Sequence, residues 1–387
     1  MSCTGDQVAG VASISGGERF VLPDYSGPGL CQLLGPLMAR TGGPPAQRAP
    51  WIDSRLAGSS QVVLLVLDGL GYFQLAERLA FLPNLAGMEL SRASSVAPTT
   101  TATALTSLTT GCTPAEHGVV GYRVRVGKGS VLNTLRWGAG SNEAPIVPPS
   151  PYDFQPIAPF FGGSPPIVTK QIFAKTGFSQ VHLRGGRFAL WSTASGLVSR
   201  ILECVNRGEP FVYAYYEGID STAHQFGLGD QYDRELRLVD YLIGLLIESL
   251  PPGCAVVIAS DHGQVVVNEQ PIHLDHEILA NVRFQSGEGR FRWLHMAQGT
   301  ATHTRDLLVE RYGDRARILL REEAVRLGLF GGEPTPEVAA RLGDIALVAE
   351  DACSFYDPMD SGAFKLVSRH GALTAAELVV PLLTCVS

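Results

Sequence analysis

The chain has 387 residues, 45% of them hydrophobic and 17% charged, and its formal net charge at pH 7 is -7. This length predicts one large α/β domain with an insertion, or two domains, and the apolar fraction argues against a disordered chain. A negative charge without a dense basic run argues against a nucleic-acid-binding surface.

The first 60 residues are rich in Gly and Pro, and they predict an irregular lead-in that packs on the main domain and contains one helix over 30–38. The continuous apolar run Gln61–Leu67 is typical of a central parallel strand that is covered on both faces. Asp68 follows this run directly, and ligands of open parallel sheets bind at such strand ends. A turn or helix-cap role explains Asp68 equally well when the position is considered alone.

Three consecutive threonines, Thr99, Thr100 and Thr101, precede a segment rich in Ser, Thr, Ala and Leu that predicts a short helix ending at Gly111. Taken alone, the run is the start of a helix with more threonines than an N-cap needs, because threonine suits N-caps better than helix interiors. The alternative is a threonine nucleophile at a helix N-terminus, where backbone N–H groups and the helix dipole favour an anion.

Residues 123–170 are loop-like and rich in proline clusters, which predicts a segment that faces the substrate. Beyond them we predict helices over 167–174 and 195–205 with a short strand over 180–183, then a strand over 210–216, a helix over 230–250 and a strand over 254–260. This alternation of strands and helices predicts a doubly wound, mostly parallel α/β sheet.

Residues 265–350 are richer in charge and combine short alternating runs with amphipathic helical segments, which predicts an inserted, smaller α+β cap. The segments 345–349 and 363–367 predict strands that re-enter the main sheet, and a last helix or strand follows them. The catalytic domain would then comprise residues 61–264 and 351–387, with the lead-in over residues 1–60.

The cysteines and the apolar runs bear on the cellular location of the protein. The seven cysteines are odd in number and form no C-x-x-C pair, so we expect reduced thiols in a cytoplasmic protein. The first ten residues, MSCTGDQVAG, lack the basic start and apolar stretch of a signal peptide. No window reaches the roughly 20 apolar residues of a membrane span.

Three aspartates and three histidines lie at predicted strand ends or in the loops near them: Asp68, Asp220, His224, Asp261, His262 and His370. Carboxylates and imidazoles together favour Zn²⁺, with Mn²⁺ or Fe as alternatives. Six ligands are too many for one catalytic metal with an open position, and they suit two metals that act together on a phosphate ester. Two divalent cations would be balanced by three aspartates and a threonine alkoxide.

Five segments carry a family resemblance: VVLLVLDGLG, PTTTATALTSLTTG followed by EHG, GIDSTAHQFG, ASDHGQV and SRHG. With these segments in this order, the chain resembles the alkaline phosphatase superfamily, and most closely its nucleotide pyrophosphatase/phosphodiesterase branch in a bacterial form. The resemblance implies the alkaline phosphatase-like fold. It implies one metal held by Asp68, Thr101, Asp261 and His262, and a second held by Asp220, His224 and His370.

The resemblance also implies a mechanism and a substrate class. Thr101 would attack phosphorus and form a covalent phospho-threonine that water then hydrolyses, with Thr100 and Thr99 as alternative nucleophiles. The substrate would be a small-molecule phosphate ester or a nucleotide. Alternatives within the superfamily are a phosphomonoesterase, a phosphonate hydrolase or a phosphomutase, and an alternative of another class is a non-catalytic metal- or nucleotide-binding protein.

The chain departs from the family at one position. In the relatives an asparagine beyond the nucleophile contacts a phosphate oxygen, whereas the matching place here is Gly121-Tyr122. Tyr122 could donate its O–H to the substrate or could be a packing residue, which leaves the preference for monoesters or diesters open. The Cys-x-Pro-x-Arg signature of the sulfatase branch has no match.

Overall fold

The computed structural model describes residues 13–43, 49–127, 129–139, 145–267, 270–360 and 366–387. These residues form the strands β1 (Gln61–Leu67), β2 (Glu89–Ser94), β3 (Arg123–Val126), β4 (Ser130–Asn133), β5 (Pro166–Lys170), β6 (Arg187–Trp191), β7 (Phe211–Tyr216), β8 (Cys254–Ala259), β9 (Val265–Val266), β10 (Val282–Gly287), β11 (Phe291–Met296), β12 (Ala316–Leu320), β13 (Ile345–Ala349), β14 (Ser368–Arg369) and β15 (Val379–Val386).

The helices are α1 (Leu30–Arg40), α2 (Pro50–Asp53), α3 (Tyr72–Ala76), α4 (Pro83–Ala86), α5 (Thr101–Thr110), α6 (Pro114–His117), α7 (Pro151–Phe154), α8 (Gly177–His182), α9 (Ala194–Asn206), α10 (Gly218–Phe226), α11 (Asp230–Ser249), α12 (His276–Leu279), α13 (Ala301–Tyr312), α14 (Arg321–Arg326), α15 (Pro336–Ala339) and α16 (Ala375–Leu378). Short 3-10 turns lie at Leu79–Phe81, Pro159–Gly162 and Gln171–Phe173.

A seven-stranded sheet organises the molecule, with the order β2-β15-β8-β1-β7-β5-β6. The five strands from β8 to β6 run parallel, and β15 pairs antiparallel with both β8 and β2. Alternate residues of β1 point to opposite faces, so Leu64 packs in the cluster that contains α1 and α5, whereas Leu65 packs with α9 and α11. The predicted doubly wound, mostly parallel α/β fold is confirmed.

A second, four-stranded antiparallel sheet has the order β10-β11-β13-β12 and is formed by residues 282–349. Its buried residues, among them Trp293 and Ile345, belong to the same hydrophobic cluster as α5. This sheet lies within the interval predicted as the inserted cap. The division into a lead-in, a catalytic domain and a cap stays a prediction.

Several local predictions between residues 123 and 183 are wrong. The predicted helix over 167–174 is the strand β5 followed by a 3-10 turn, and the predicted strand over 180–183 falls largely in α8. Ile167 is fully buried and pairs with Tyr213 of β7, and periodicity cannot distinguish such a short apolar run from a buried helix. The loop-like segment also contains the hairpin β3–β4 and the helix α7.

Near the carboxyl end, the strand predicted over 345–349 exists as β13, but it pairs with β11 and β12 of the second sheet instead of entering the main sheet. Most of the strand predicted over 363–367 lies outside the described residues. The last segment is both helix and strand, α16 followed by β15.

Two further observations concern the whole described chain. Among the described helices, none combines the length and the apolar character that crossing a bilayer requires. The six cysteines in the described ranges are unpaired: Cys31, Cys112, Cys204, Cys254, Cys353 and Cys385. The cytoplasmic location stays a prediction.

Candidate active site

The carboxyl ends of three adjacent parallel strands meet at one edge of the main sheet. Asp68 follows β1 directly, Asp261 comes two residues after β8, and β1 lies between β8 and β7. The helix α10 begins soon after β7 and carries Asp220 and His224. Residues four apart lie on one helix face, so both side chains can point to the same place. The sequence pattern therefore predicts this convergence correctly.

The first group, which we name the Asp68 cluster, contains Asp68, Asp261 and His262, and all three residues are buried. The His262 Nε2 atom lies 3.4 Å from Asp68 Oδ1 and 3.4 Å from Asp261 Oδ2. Within the described part of the chain, neither of these two carboxylate oxygens has a hydrogen-bond partner. Buried polar atoms are normally paired, so the two oxygens are suited to a cation.

The second group, which we name the Asp220 cluster, contains Asp220, His224 and His370, all of them partly exposed. The Nε2 atoms of His224 and His370 lie 3.2 Å and 3.9 Å from Asp220 Oδ1. In each group, the potential ligand atoms lie within 4.8 Å of one another.

Backbone contacts orient the three histidines in the same way. The Nδ1 atom of His224 lies 2.7 Å from the Ser368 carbonyl oxygen, and that of His370 lies 2.8 Å from the Thr99 carbonyl oxygen. The His262 Nδ1 atom is 3.0 Å from the Gly263 carbonyl oxygen. An imidazole that donates from Nδ1 has its Nε2 lone pair available to a metal, and such second contacts are typical of metal-binding histidines.

The electrostatics fit a site for divalent cations. Burial, together with the charges of Asp261 and Asp220, raises the pKa of Asp68 well above its ordinary value, and burial also raises the pKa of Asp261. Burial and the neighbouring histidines His262 and His224 lower the pKa of His370. Bound cations would supply the missing positive charge, ionise the carboxyls and use neutral imidazoles as ligands.

The threonine run separates into three different environments. Thr99 is fully buried, and its hydroxyl donates to the Ala372 carbonyl oxygen at 2.7 Å and accepts from the Gly371 N–H at 3.0 Å. Thr100 is the N-cap of α5, where its hydroxyl accepts from the backbone of Thr103. Thr101 is the first residue of α5, is partly exposed, and has its hydroxyl 3.2 Å from His262 Nε2.

Two cavities share Thr101, Leu135 and Asp220 among their lining residues. The first, the aromatic cavity, measures about 340 Å³ and is lined by the rings of Phe173, Phe178, His182, Tyr213 and Tyr215. The second, the polar cavity, measures about 260 Å³ and is lined by Tyr122, His224, Glu288, Asp360, Arg369 and His370. Of the three consecutive threonines, Thr101 alone lines both cavities.

Two further contacts of the clusters are not evident from the sequence. The Tyr215 hydroxyl donates to Asp68 Oδ2, and the Gln264 amide donates to Asp220 Oδ1. Gln264 lies two residues after His262 in the segment ASDHGQV, so its position could have been noticed. Tyr122 lines the polar cavity, and its hydroxyl accepts from the Asn133 side-chain amide at 2.7 Å.

Comparisons with known proteins identify a family and a fold for this chain. The family model described as type I phosphodiesterase / nucleotide pyrophosphatase matches residues 62–372. The solved structure of murine ectonucleotide pyrophosphatase / phosphodiesterase 5 has a TM-score of 0.62 at 16% identity, covering 84% of this chain and 87% of that chain. The same murine protein was solved as an inactive threonine-to-alanine variant in complex with AMP, with a TM-score of 0.61, the same identity and the same coverage.

A second solved protein has the same fold. The phosphonoacetate hydrolase of Sinorhizobium meliloti, solved with phosphonoformate, has a TM-score of 0.61 at 18% identity, covering 84% of this chain and 90% of that chain. A comparison with curated protein sequences gave no significant match.

Proposed function

The chain belongs to the type I phosphodiesterase / nucleotide pyrophosphatase family and as a member of it is a phosphoester hydrolase, and we propose that it cleaves phosphodiester or pyrophosphate bonds of nucleotide-like substrates with Thr101 as the nucleophile. One observation carries this proposal. The Thr101 hydroxyl lies at the start of α5 and 3.2 Å from His262 Nε2, and the residue lines both cavities. A phosphorus atom at this hydroxyl could direct one substituent into each cavity.

The ligand chemistry of the two clusters supports two divalent cations. Asp68, Thr101, Asp261 and His262 would hold one cation, and Asp220, His224 and His370 would hold the other. Mixed imidazole and carboxylate ligands favour Zn²⁺, with Mn²⁺ or Fe as alternatives. Such cations act as Lewis acids that stabilise charge on the attacking and leaving oxygens.

The proposed reaction has two covalent steps at Thr101. The Thr101 hydroxyl loses its proton to water and its oxygen forms a bond to phosphorus, while the bond from phosphorus to the leaving oxygen breaks. The leaving oxygen takes up a proton and departs as an alcohol or a phosphate, and the phospho-threonine that remains still carries the other substituent of the substrate. Water then hydrolyses the phospho-threonine, which releases a phosphate monoester and regenerates the Thr101 hydroxyl. Because Thr101 is the first residue of α5, the positive end of the helix dipole favours the anionic phosphoryl group.

The aromatic cavity supports a nucleotide-like substituent. The Phe178 and His182 rings stack at 4.0 Å, and the Phe173 and Tyr215 rings meet edge to face at 5.9 Å. Polar side chains, among them Thr176, Ser179 and Glu217, also line this cavity, and rings combined with polar groups are typical of sites for planar organic ligands. The murine relative with bound AMP is consistent with this assignment.

The superfamily alternatives differ in how many substituents the phosphorus carries. A phosphomonoesterase or a phosphomutase needs room for one organic substituent, and the second cavity argues against both. A phosphonate hydrolase remains the second candidate, because a phosphonoacetate hydrolase shares the fold and Arg369 lines the polar cavity. A non-catalytic metal-binding protein would need the ligands but not a threonine hydroxyl at a helix start beside them.

A substrate panel tests the proposal. Purified protein loaded with Zn²⁺ or Mn²⁺ would be assayed with bis(p-nitrophenyl) phosphate, p-nitrophenyl thymidine monophosphate, p-nitrophenyl phosphate and phosphonoacetate. We expect the two diesters to be cleaved with the higher kcat/KM, and the thymidine diester with the lower KM. Faster cleavage of the monoester or of phosphonoacetate would overturn the assignment. Replacing Tyr122 by Phe should lower kcat/KM about tenfold if its hydroxyl contacts the phosphoryl group.

A further inference from the structure

A buried ion pair connects the second sheet to the main sheet. Arg290 directly precedes β11 of the second sheet, whereas Glu377 lies in α16, which leads into β15 of the main sheet. Both side chains are fully buried. The Arg290 guanidinium donates from Nε and Nη2 to the two Glu377 carboxylate oxygens, each at 2.7 Å. This bidentate geometry is the strongest form of such a pair.

The remaining contacts of Arg290 hold it in place. Its Nη1 atom donates to the carbonyl oxygens of Asp351 and Cys353 at 2.8 Å and 2.7 Å. Taking two charges out of water is costly, and buried pairs often contribute little net stability compared with apolar residues of the same size. A role other than stability can therefore explain why two charges lie in this position.

The Glu377 carboxylate also holds the loop that carries His370. Its Oε1 atom accepts from the Ala372 N–H at 3.0 Å, and its Oε2 atom accepts from the Thr374 hydroxyl at 2.7 Å. The Glu377 backbone carbonyl accepts from the Gly263 N–H at 2.8 Å, next to His262. One residue thus contacts the loops of both metal clusters.

The same loop is hydrogen-bonded to the start of the threonine run. Thr99 binds both Gly371 and Ala372, and its carbonyl oxygen lies 2.8 Å from His370 Nδ1. Thr99 is two residues before Thr101, so the contacts run continuously from Arg290 through Glu377 to the nucleophile.

We propose that Arg290 and Glu377 are positioning residues, which lock loop 370–372 against Thr99 and so set the His370 imidazole relative to Thr101. The inference rests on the proposed function, because it treats His370 as a metal ligand. It makes the second sheet part of the catalytic apparatus, since the arginine that orients the loop belongs to that sheet. The Asp68 cluster depends less on the side chains of this pair, because Asp68 follows β1 directly and Glu377 meets Gly263 through its backbone carbonyl.

Metal binding gives a readout that does not depend on any substrate. Metal-free protein would be titrated with Zn²⁺ in competition with a chromophoric chelator, for the wild type, Glu377→Gln, Arg290→Lys and His370→Ala. We expect the wild type to bind two equivalents, and both positioning variants to bind one equivalent normally and the second about 10–100-fold more weakly. In the His370→Ala background, adding Glu377→Gln should cause no further loss of affinity, because the substitution acts through His370.

Kinetics and a matched control separate positioning from simple destabilisation. For a diester substrate, Glu377→Gln should lower kcat about 10–100-fold and change KM by about threefold or less, with Arg290→Lys intermediate. The control is Asp240→Asn. Asp240 is a buried carboxylate that ties α11 to α4 by accepting from the Leu85 N–H at 2.8 Å, and it lines neither cavity. Its variant should lose thermal stability but keep both metal affinities and kcat.

Two outcomes would overturn the inference. A Glu377→Gln protein with a lower Tm but two unchanged metal affinities and an unchanged kcat would reduce the pair to a structural contact. A wild-type protein that binds no Zn²⁺ or Mn²⁺ would overturn the two-metal site together with this inference. The first outcome leaves the proposed function intact, so the two failures can be distinguished.

Discussion

Separate alanine replacements at Thr99, Thr100 and Thr101 should separate catalysis from stability. The hydroxyl of Thr101 is partly exposed and has His262 Nε2 as its partner within the described chain. Removing it should change the free energy of unfolding of the metal-free protein by about 1 kcal/mol or less. Diester turnover should nevertheless fall at least ~10³-fold, because the attacking oxygen is lost.

Replacing either of the other two threonines should lower stability without removing the attacking oxygen. Thr99→Ala leaves the Gly371 N–H and the Ala372 carbonyl buried without the hydroxyl, and each loss costs about 1–3 kcal/mol, so stability should fall by at least about 2 kcal/mol. Thr100→Ala removes an N-cap whose bond to the Thr103 N–H is long, 3.5 Å, so the loss should be about 0.5–1 kcal/mol. We expect Thr100→Ala to retain most of the wild-type turnover.

Three measurements distinguish a loss of stability from a loss of catalysis in these variants. Urea unfolding of the metal-free proteins, followed by far-UV circular dichroism, gives the stabilities, and release of p-nitrophenol gives the turnover. Acid quenching during turnover, followed by peptide mass spectrometry, locates the phosphoryl group. Thr101→Ser serves as the matched control and should keep measurable activity. If Thr100→Ala is inactive while Thr101→Ala turns over normally, the assignment within the run is wrong, and if all three variants are active, a threonine nucleophile is refuted.

Three more predictions concern pH, metal and specificity. Burial lowers the pKa of His117 to about 3, so stability that is present above about pH 6.5 is lost as the pH falls. Urea unfolding at pH 7 and pH 5 should therefore show a loss about 2 kcal/mol larger for the wild type than for His117→Gln. Chelation should abolish turnover, and Zn²⁺ at a hundred times its Kd should restore activity and raise stability by about 2.7 kcal/mol for each occupied site. Calorimetry should find this increase diminished in Asp261→Asn. Phe178→Ala should raise KM about tenfold for the thymidine diester but not for methyl p-nitrophenyl phosphate, because the smaller ester does not reach the aromatic cavity.

The central strands could be predicted from sequence because each is covered on both faces. Complete burial produces the unbroken apolar runs of β1, β7 and β8, and the aspartates after β1 and β8 mark the strand ends. β5 could not be recognised in the same way, because its apolar run is only three residues long, 166–168, and does not reveal a period. β13 has a clear strand pattern, but a pattern does not say which of two sheets a strand joins.

The proximity of the three aspartates and three histidines could be predicted because the carboxyl ends of adjacent parallel strands meet at one edge of a sheet. The residues that orient these side chains could not be predicted from the sequence. Glu377 and Arg290 are 87 residues apart, and their contact depends on the packing of the second sheet against α16. The environment of Thr101 also needed the structure, since the three threonines are equivalent in the sequence and differ in what surrounds each hydroxyl.

The position of β15 between β8 and β2 has a consequence for folding kinetics. β8 is buried along its whole length, and its outer edge is completed by β15, whose Leu382 pairs with Ala259 although the two residues are 123 positions apart in the chain. Until β15 has paired with β8, the apolar edge of β8 is exposed and can pair with other chains. Such non-local pairing is slow, so refolding from denaturant should give yields that fall as protein concentration rises. By covering the edge of β8, β15 thus also protects the protein from self-association.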